Sequence, residues 1–445
     1  MIDVKTLKAA METACRACGI EDWEVVVGHA TSVSASMIDD ELVEFSSSID
    51  GSIVIRVIID GREGTASSDR VDIDDLPVLV ERASQASRVK EADSGYVPEI
   101  HAPGDKYPEK TASPGPVFDA AQIRATLEKT QKALFAKDSR VSKGTGSDAS
   151  SGSETTLVVN SKGLTLSDEW SSSYIASNAV VKEEGQTKEA TVFLEGDILS
   201  ADMGEAVDKA TAKFHASTTS SGKRPVIFSS ECFNLFLRTF WSAFSGRTAF
   251  YGLSPYKDKL GQCIASRIVT LVDDPLYPDY PAQKCFDADC SATFTKPVIE
   301  DGVLKNLLYN RQWAQKAGAE TTGNAVLTSA GSAIMPYSFH LRPGIMTLDE
   351  LALEAGEGIY VTQMKGFHAG ADPVSGDFSI ESSGFLVQEG RIGGPLEGFT
   401  VAGNFFQLLK DVRALGDDLV FDVTLSSFRC GSPCVLVDGL SIAGQ

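Results

Sequence analysis

Residues Gly358 to Leu415 read GIYVTQMKGFHAGADPVSGDFSIESSGFLVQEGRIGGPLEGFTVAGNFFQLLKDVRAL. Ile359 to Met364 is apolar and rich in strand-favouring residues, and Phe378 to Val387 supplies a second strand. Between them lies a glycine-rich loop with Gly366, Gly370 and Gly376. Glu389-Gly390 ends the second strand in a hairpin turn, because glycine accepts the positive φ that tight turns demand. Asn404 then offers a helix cap, with Gln407 three residues on and Phe405, Leu408, Leu409, Val412 and Leu415 on one face. This spacing predicts a helix from Asn404 to Leu415, stopped by Gly416.

Upstream, Val226 to Phe228 is a short strand. Ser229 or Ser230 caps the helix that follows, with Glu231 in its first turn, where negative charge suits the helix dipole. Phe233, Phe236, Leu237, Phe240, Trp241 and Phe244 make its apolar face, and Gly246 ends it. From Ile268 onward strands dominate: Asp301-Gly302 is a hairpin turn before a strand at Leu304 to Tyr309, and Val435 to Ile442 is the last strand. Residues 225–445 therefore read as one large domain.

Toward the N-terminus, Val4, Leu7, Ala10, Met11 and Ala14 recur at helical spacing. Strands follow at Trp23 to Val27, Val33 to Met37, Leu42 to Ser46 and Ser52 to Ile59, then an Asp60-Gly61 turn and a helix through Leu79, Val80 and Ala83. Residues 1–91 thus form an α+β unit. Residues 92–116, with Pro98, Pro103, Pro108, Pro114 and Pro116, read as a connector or wrapping arm. Residues 117–220 repeat the order: a helix at Phe118 to Phe135, a loop or hairpin tip at Ser142 to Ser153, strands at Thr155 to Asn160, Ser172 to Lys182 and Glu189 to Leu194, and a helix at Glu205 to Ala216. Phe45-Ser-Ser-Ser and Trp170-Ser-Ser-Ser sit at similar places in the two units and hint at duplication. The fold class is α+β: two small helix-plus-antiparallel-meander units followed by a large, mainly antiparallel, sheet-rich C-terminal domain.

A chain of 445 residues exceeds what one core usually supports, so two or three domains are expected. The net charge of −21, from 61 acidic and 40 basic residues, repels phosphate backbones, and no Lys/Arg cluster overrides it. Nucleic acid is therefore not an expected partner. The N-terminal pattern lacks the apolar run of a signal peptide, and no segment reads as a membrane span. Eight cysteines over this length imply no disulfide scaffold, and the location expected is cytoplasmic.

Four short motifs in the quoted stretch carry a resemblance: G-x-Y-V-T from Gly358, G-D-F-S from Gly376, S-G-F-x-V-x-x-G from Ser383, and T-V-A-G-N from Thr400. In this order and spacing the chain resembles the TldD/PmbA family, a family associated by name with DNA gyrase, and within it the PmbA branch, also called TldE. The resemblance implies a metalloprotease scaffold. Zinc-bearing members of the TldD branch carry H-E-x-x-x-H on the helix after the short strand, where two imidazoles hold Zn²⁺ and the glutamate serves as general base. Anchored on Gly246, the matching positions here are Leu237, Arg238, Thr239, Phe240, Trp241 and Ser242, and no histidine lies between His215 and His340. Leu237, Arg238 and Ser242 are thus the degenerate zinc-site positions, and Arg238 puts a permanent cation where the base belongs. The third zinc ligand of such members is a cysteine near the C-terminus; Cys430 and Cys434 lie in that region but resemble the ligand-free ending of the PmbA branch.

The resemblance further implies peptides and unfolded small proteins as substrates. It implies a heterodimer with a TldD-like zinc subunit, or else a homodimer, with zinc held by the partner and no metal or cofactor by this chain. Gly376, Asp377, Phe378 and Ser379 are the substrate-groove candidates. Other residue patterns are weaker. Cys15-x-x-Cys18 lies within a helix pattern rather than after a strand, and Cys285, Cys290, Cys430 and Cys434 could only conceivably make a metal site. Asp287-x-Asp289-x-Ser291 opens like a calcium loop but has Ala292 where glycine is needed and Val298 where the bidentate glutamate belongs. Asp289-Cys290 also stands where an acidic-glycine pair is common in the family. The alternative to a non-zinc subunit is a self-sufficient hydrolase using His368 with Asp377, or a cysteine, or else a homodimeric binding protein.

Overall fold

The computed structural model describes residues 2–91, 93–278, 280–328, 331–422 and 428–444. Six strands in the first two hundred residues pair into one antiparallel sheet: β1 (Asp22–Ile38), β2 (Glu41–Ile59), β3 (Arg62–Ser68), β4 (Gly146–Asn160), β5 (Thr165–Glu183) and β6 (Gln186–Glu195), in the spatial order β3-β2-β1-β4-β5-β6. The two meanders are joined through β1 and β4, which run antiparallel from Glu24 opposite Asn160 to Ile38 opposite Gly146. The order is symmetric about that junction. It places Phe45-Ser-Ser-Ser on β2 and Trp170-Ser-Ser-Ser on β5, the equivalent middle strands of the two halves.

These strands are longer than their apolar runs suggest. Trp23 to Val27 and Val33 to Met37 are parts of one strand, and Leu42 to Ile59 of another. Ser142 to Ser153, expected as a loop or hairpin tip, lies largely within β4. Small Ser and Gly side chains do not favour a strand by themselves, but here hydroxyls bond across the sheet. Ser147 pairs with Ser177 at 2.8 Å and receives a bond from the Gln131 side-chain amide, and Ser151 pairs with Ser173 at 2.7 Å. Such cross-strand pairs stabilise a sheet where local propensity does not.

Residues alternate across the sheet. Odd-numbered side chains Val25, Val27, Ile53, Ile55, Val57 and Val159 of β1, β2 and β4 are buried with Leu7, Met11, Leu79 and Val80 of helices Val4–Ala17 and Leu76–Val89. Further along the same face, Ala35, Met37, Ala149, Ile175, Ala179 and Val181 pack with Ile123, Leu127, Leu134 and Val207 of helices Ala120–Lys137 and Glu205–Thr211. Four helices therefore cover one face, and the even-numbered face is left for the rest of the molecule.

The proline-rich connector is docked as an arm. Tyr107 Oη donates to the Cys290 carbonyl at 2.8 Å, Gln283 Oε1 accepts from the amides of Thr111 and Ala112, and Lys316 pairs with Asp93 at 2.6 Å.

In the C-terminal region the strand Gly222–Phe228 lies parallel to Gly358–Lys365, which continues antiparallel into Asp377–Gln388 and Arg391–Asn404. On its other side it pairs with Val435–Ala443. Thr400 to Ala402 pair in turn with Ser441 to Ala443, so the sheet closes on itself. The turns Asp60-Gly61, Asp301-Gly302 and Glu389-Gly390 all have positive φ at both residues, the tight hairpin geometry their sequences imply. A second sheet holds Leu271–Asp273, Lys296–Glu300, Val303–Leu304, Ser338–Leu341, Val420–Phe421 and Arg429–Ser432.

Several expected boundaries move. Helix Ser230–Phe240 is capped by Ser229, which accepts from the Cys232 amide at 3.2 Å. It passes into a tight turn at Trp241–Phe244, and Gly246 opens the next helix rather than ending this one. A Cβ at Gly246 would come within 1.9 Å of the Tyr309 ring, so close approach explains the glycine. Asn404 does cap a helix, accepting from the amides of Phe406 and Gln407, but that helix spans only Phe405–Leu408. Val412–Leu415 is instead a strand paired with Val435 to Val437, because tertiary pairing overrides a helical spacing that β-branched Val412 supports weakly. Likewise the strand expected at Leu304 to Tyr309 is confined to Val303–Leu304.

Phe236 is the hub of the C-terminal core, fully buried, with ring centroids of Phe378, Phe367 and Phe228 at 4.8, 5.1 and 5.2 Å in edge-to-face arrangements. Phe236→Ala is expected to lower unfolding stability by about 3–5 kcal/mol, the range for a buried aromatic truncation, read as a lower urea midpoint.

Candidate functional site

The even-numbered face of the N-terminal sheet is the floor of a large cleft. Gly28 and Ala30 of β1, Ser52 and Val54 of β2, Gly152 and Thr156 of β4, and Trp170, Ser172 and Tyr174 of β5 line it. The opposite wall comes from the C-terminal region: Tyr280, Lys284, Phe286, Val326, Tyr337, Ser338, Asp422, Phe428 and Arg429. The enclosed volume is about 750 Å³. Small residues such as Gly28, Ala30 and Gly152 on the floor and aromatic rings at its Trp170 edge and on the wall shape the cleft.

The charges along the cleft are mostly answered within the protein. Lys284 Nζ lies 2.5 Å from Asp168, and Lys110 pairs with the same carboxylate. Burial alone would push Asp168 up, but the two lysines outweigh it and hold the carboxyl below the usual range. Glu195 accepts from the Ser172 hydroxyl at 2.7 Å.

Helix Ser230–Phe240 brings the three degenerate positions toward this wall, and they part company. Leu237 is fully buried in the phenylalanine core. Ser242 lies beyond the helix, in the turn Trp241–Phe244. Arg238 reaches the cleft wall: its Nε and Nη2 donate to Asp422 Oδ2 at 3.0 and 2.6 Å, its Nη2 also reaches the Phe428 carbonyl at 3.3 Å, and its guanidinium carbon stands 4.8 Å over the Phe428 ring. The other oxygen of Asp422 accepts from the Cys430 amide at 2.7 Å. Burial raises the Asp422 carboxyl and Arg238 works against that rise. Cys430 is fully buried, and burial with the adjacent Asp422 charge pushes its thiol far up. Cys434 Sγ donates to Asp418 at 3.1 Å, and burial takes its thiol up to about 12. Metal ligation needs thiolate, so neither cysteine is prepared for it.

Zinc therefore has no fitting set here. One position is core, one is an ion-paired guanidinium, and among the described residues no group of three His, Cys, Asp or Glu side chains could hold a metal ion. The four cysteines considered together make separate contacts: Cys290 donates to Glu24 at 3.3 Å while Cys434 faces Asp418. All eight cysteines are free thiols. Asp287 and Asp289 do not form a calcium loop either. Asp287 accepts three backbone N–H bonds, from Asp289, Ser291 and Ala325, and Asp289 accepts from the Arg311 amide and the Ser332 hydroxyl. Cys290 occupies left-handed backbone at φ +62°, the geometry that favours glycine.

His368 and Asp377 are not brought together as an acid–base pair. Both are exposed, and among the described residues no hydrogen bond or ion pair joins them. Asp377 instead accepts from the Asn404 side-chain amide at 2.8 Å. Gly376, Asp377, Phe378 and Ser379 do not line the cleft. Gly376 adopts φ +84° against the Phe406 ring, Phe378 is buried against Phe236, and Ser379 faces outward. The G-D-F-S and T-V-A-G-N segments are tied to each other by the Asp377–Asn404 bond, so in this chain they brace a corner of the closed sheet. Trp170, Tyr280, Lys284 and Arg429, by contrast, meet only in the folded cleft and carry no local signature.

Three family models match the chain: the PmbA/TldA metallopeptidase C-terminal domain over residues 221–444, domain 1 over 23–87 and the central domain over 113–214. The metalloprotease PmbA of Escherichia coli O157:H7 is 27% identical, with 99% of this chain and 97% of that one covered. The PmbA homolog of Haemophilus influenzae is also 27% identical, over 98% and 95%. A crystal structure from Thermotoga maritima superposes with a TM-score of 0.89 at 24% identity, covering 99% and 100% of the two chains. The crystal structure of TldE from Thermococcus kodakarensis superposes with a TM-score of 0.88, also at 24% identity, covering 98% and 100%.

The Arg238–Asp422 pair is largely buried, and breaking one side leaves the other charge uncompensated. Arg238→Met is expected to cost about 1–3 kcal/mol near neutral pH. The folded-state carboxyl of Asp422 is already raised. Without the guanidinium it rises further, so the added penalty shrinks as pH falls toward about 4 and the carboxyl takes a proton. Urea denaturation of wild type and variant across this range checks the sign.

Proposed function

The chain belongs to the PmbA/TldD metallopeptidase family, and from that premise we propose that it is the non-zinc, TldE-like subunit of a metalloprotease that acts on peptides and unfolded small proteins. A TldD-like partner would hold the zinc, and this chain would shape the substrate channel. The observation that carries the reading is the Arg238–Asp422 ion pair on the helix where zinc-bearing relatives are expected to place their base. A guanidinium there repels a divalent cation and cannot accept a proton from water. The scaffold around it is intact, and an inert scaffold with an open groove has a use if a second subunit supplies the chemistry.

The cleft suits that role. Its floor is a sheet face over which an extended peptide can lie, with alternate side chains directed to the aromatic wall. A cytoplasmic location is part of the same reading, and among the described residues no helix is long and apolar enough to cross a membrane.

Purified alone, the chain is expected to carry substoichiometric zinc by mass spectrometry and to leave an unstructured peptide uncleaved. Mixed with a family member bearing H-E-x-x-x-H, it is expected to co-elute on size exclusion and to change that partner's peptide turnover. Stoichiometric zinc with turnover by the isolated chain would reject the proposal.

A further inference from the structure

Arg429 begins the strand Arg429–Ser432 and lines the cleft wall. Its guanidinium carbon lies 3.4 Å from the ring centre of Tyr280, 3.9 Å from that of Phe421 and 5.0 Å from that of Tyr277. Its Nε donates to Ser338 Oγ at 3.0 Å. Aromatic contacts and this bond fix the plane of the fork. Nη2 is nevertheless buried and has no hydrogen-bond partner among the described residues. Nor does any described carboxylate come within ion-pair distance.

The other cations near the cleft are answered: Lys284 by Asp168, Arg238 by Asp422. Nearby acids do not turn to Arg429 either, since Asp422 is held by Arg238 and the Cys430 amide, and Glu195 accepts from Ser172. Arg429 thus lines the groove, held in place by its aromatic neighbours, with one buried donor unmet. Burial weakens its hold on its proton, and an arriving anion would restore it. A backbone carbonyl could meet one N–H but would leave the charge unbalanced; a planar carboxylate answers both the donor and the charge.

We propose that Arg429 is a carboxylate receptor in the cleft, binding either the C-terminal carboxylate of a peptide or an Asp or Glu side chain within it. The assignment rests on the cleft being a peptide groove. It makes Arg429 a specificity determinant, selecting which peptides lie in the groove and in what register.

The test uses one unstructured, fluorescein-labelled peptide made as C-terminal acid or amide, crossed with Glu or Gln at its centre, and titrated by anisotropy against the full-length chain. The expected result is a preference of about 10- to 100-fold for the acid over the amide, or for Glu over Gln, as one charge-assisted contact would supply. The first assigns the terminal carboxylate and the second the side chain. Arg429→Met should erase the preference, and Arg429→Lys should keep part of it. Equal binding of all four peptides to wild type, or a preference that survives in a folded Arg429→Met variant, overturns the assignment but leaves the peptide groove standing. Binding of none overturns both. If Arg429→Met does not fold, as judged by circular dichroism, the wild-type comparison decides alone.

Discussion

A β-strand has two faces, and the N-terminal sheet uses them for different tasks. Odd-numbered side chains such as Val25, Ile53, Val159 and Ile175, with the bonded Ser147 and Ser151, pack under four helices. Even-numbered ones such as Gly28, Val54, Thr156, Trp170 and Tyr174 line the cleft. A shift of one residue in any of these strands would exchange core for floor, so the register of β1 against β4 governs both stability and the shape of the groove.

The junction of sheet and C-terminal region combines polar bonds with a small apolar cluster, in which Val158, Leu164 and Cys290 are buried against Val26, Tyr107 and Phe286. Glu24 on β1 receives Arg56 at 3.0 Å and the Cys290 thiol at 3.3 Å. Asp287 and Asp289 cap the loop that approaches it, and burial pushes the Asp287 carboxyl upward against the pull of its three amide donors. The proline-rich arm crosses the same junction through Tyr107 and Gln283. Directional bonds of this kind set the separation of the two walls, and hence the width of the cleft, more tightly than apolar contact would.

Behind the opposite wall, the helix Ser230–Phe240 gives its two faces different tasks. Its phenylalanine face locks it against the closed sheet through Phe236 and Phe240, whose ring stacks on Phe405 at 4.5 Å. Arg238 points the other way and ends in a carboxylate, so the position is neutralised by the protein itself. Beside it stands Arg429, ringed by aromatics and lacking such an answer among the described residues. The two arginines thus differ in kind: Arg238 is paired behind the wall, whereas Arg429 lines the groove.

Much of the fold is legible in local residue order. Alternation marked the strands, positive-φ dipeptides marked the hairpins at Asp60, Asp301 and Glu389, and Asn404 and Ser229 declared themselves as caps, because each of these is a short-range property of a few neighbouring residues. That Leu237, Arg238 and Ser242 offer neither imidazole nor carboxylate is equally plain, since it depends on residue identity alone. Tertiary structure decided the rest. Serine-rich β4 becomes a central strand only because β1 and β5 flank it, Val412–Leu415 becomes a strand only because Val435 to Val437 lies beside it, and the G-D-F-S segment proves a brace because Asn404 waits across the turn. The cleft joins Trp170 to Arg429 from elements some hundreds of residues apart in the chain. Pairing and burial at that separation are set by the whole assembly, and no local pattern encodes them.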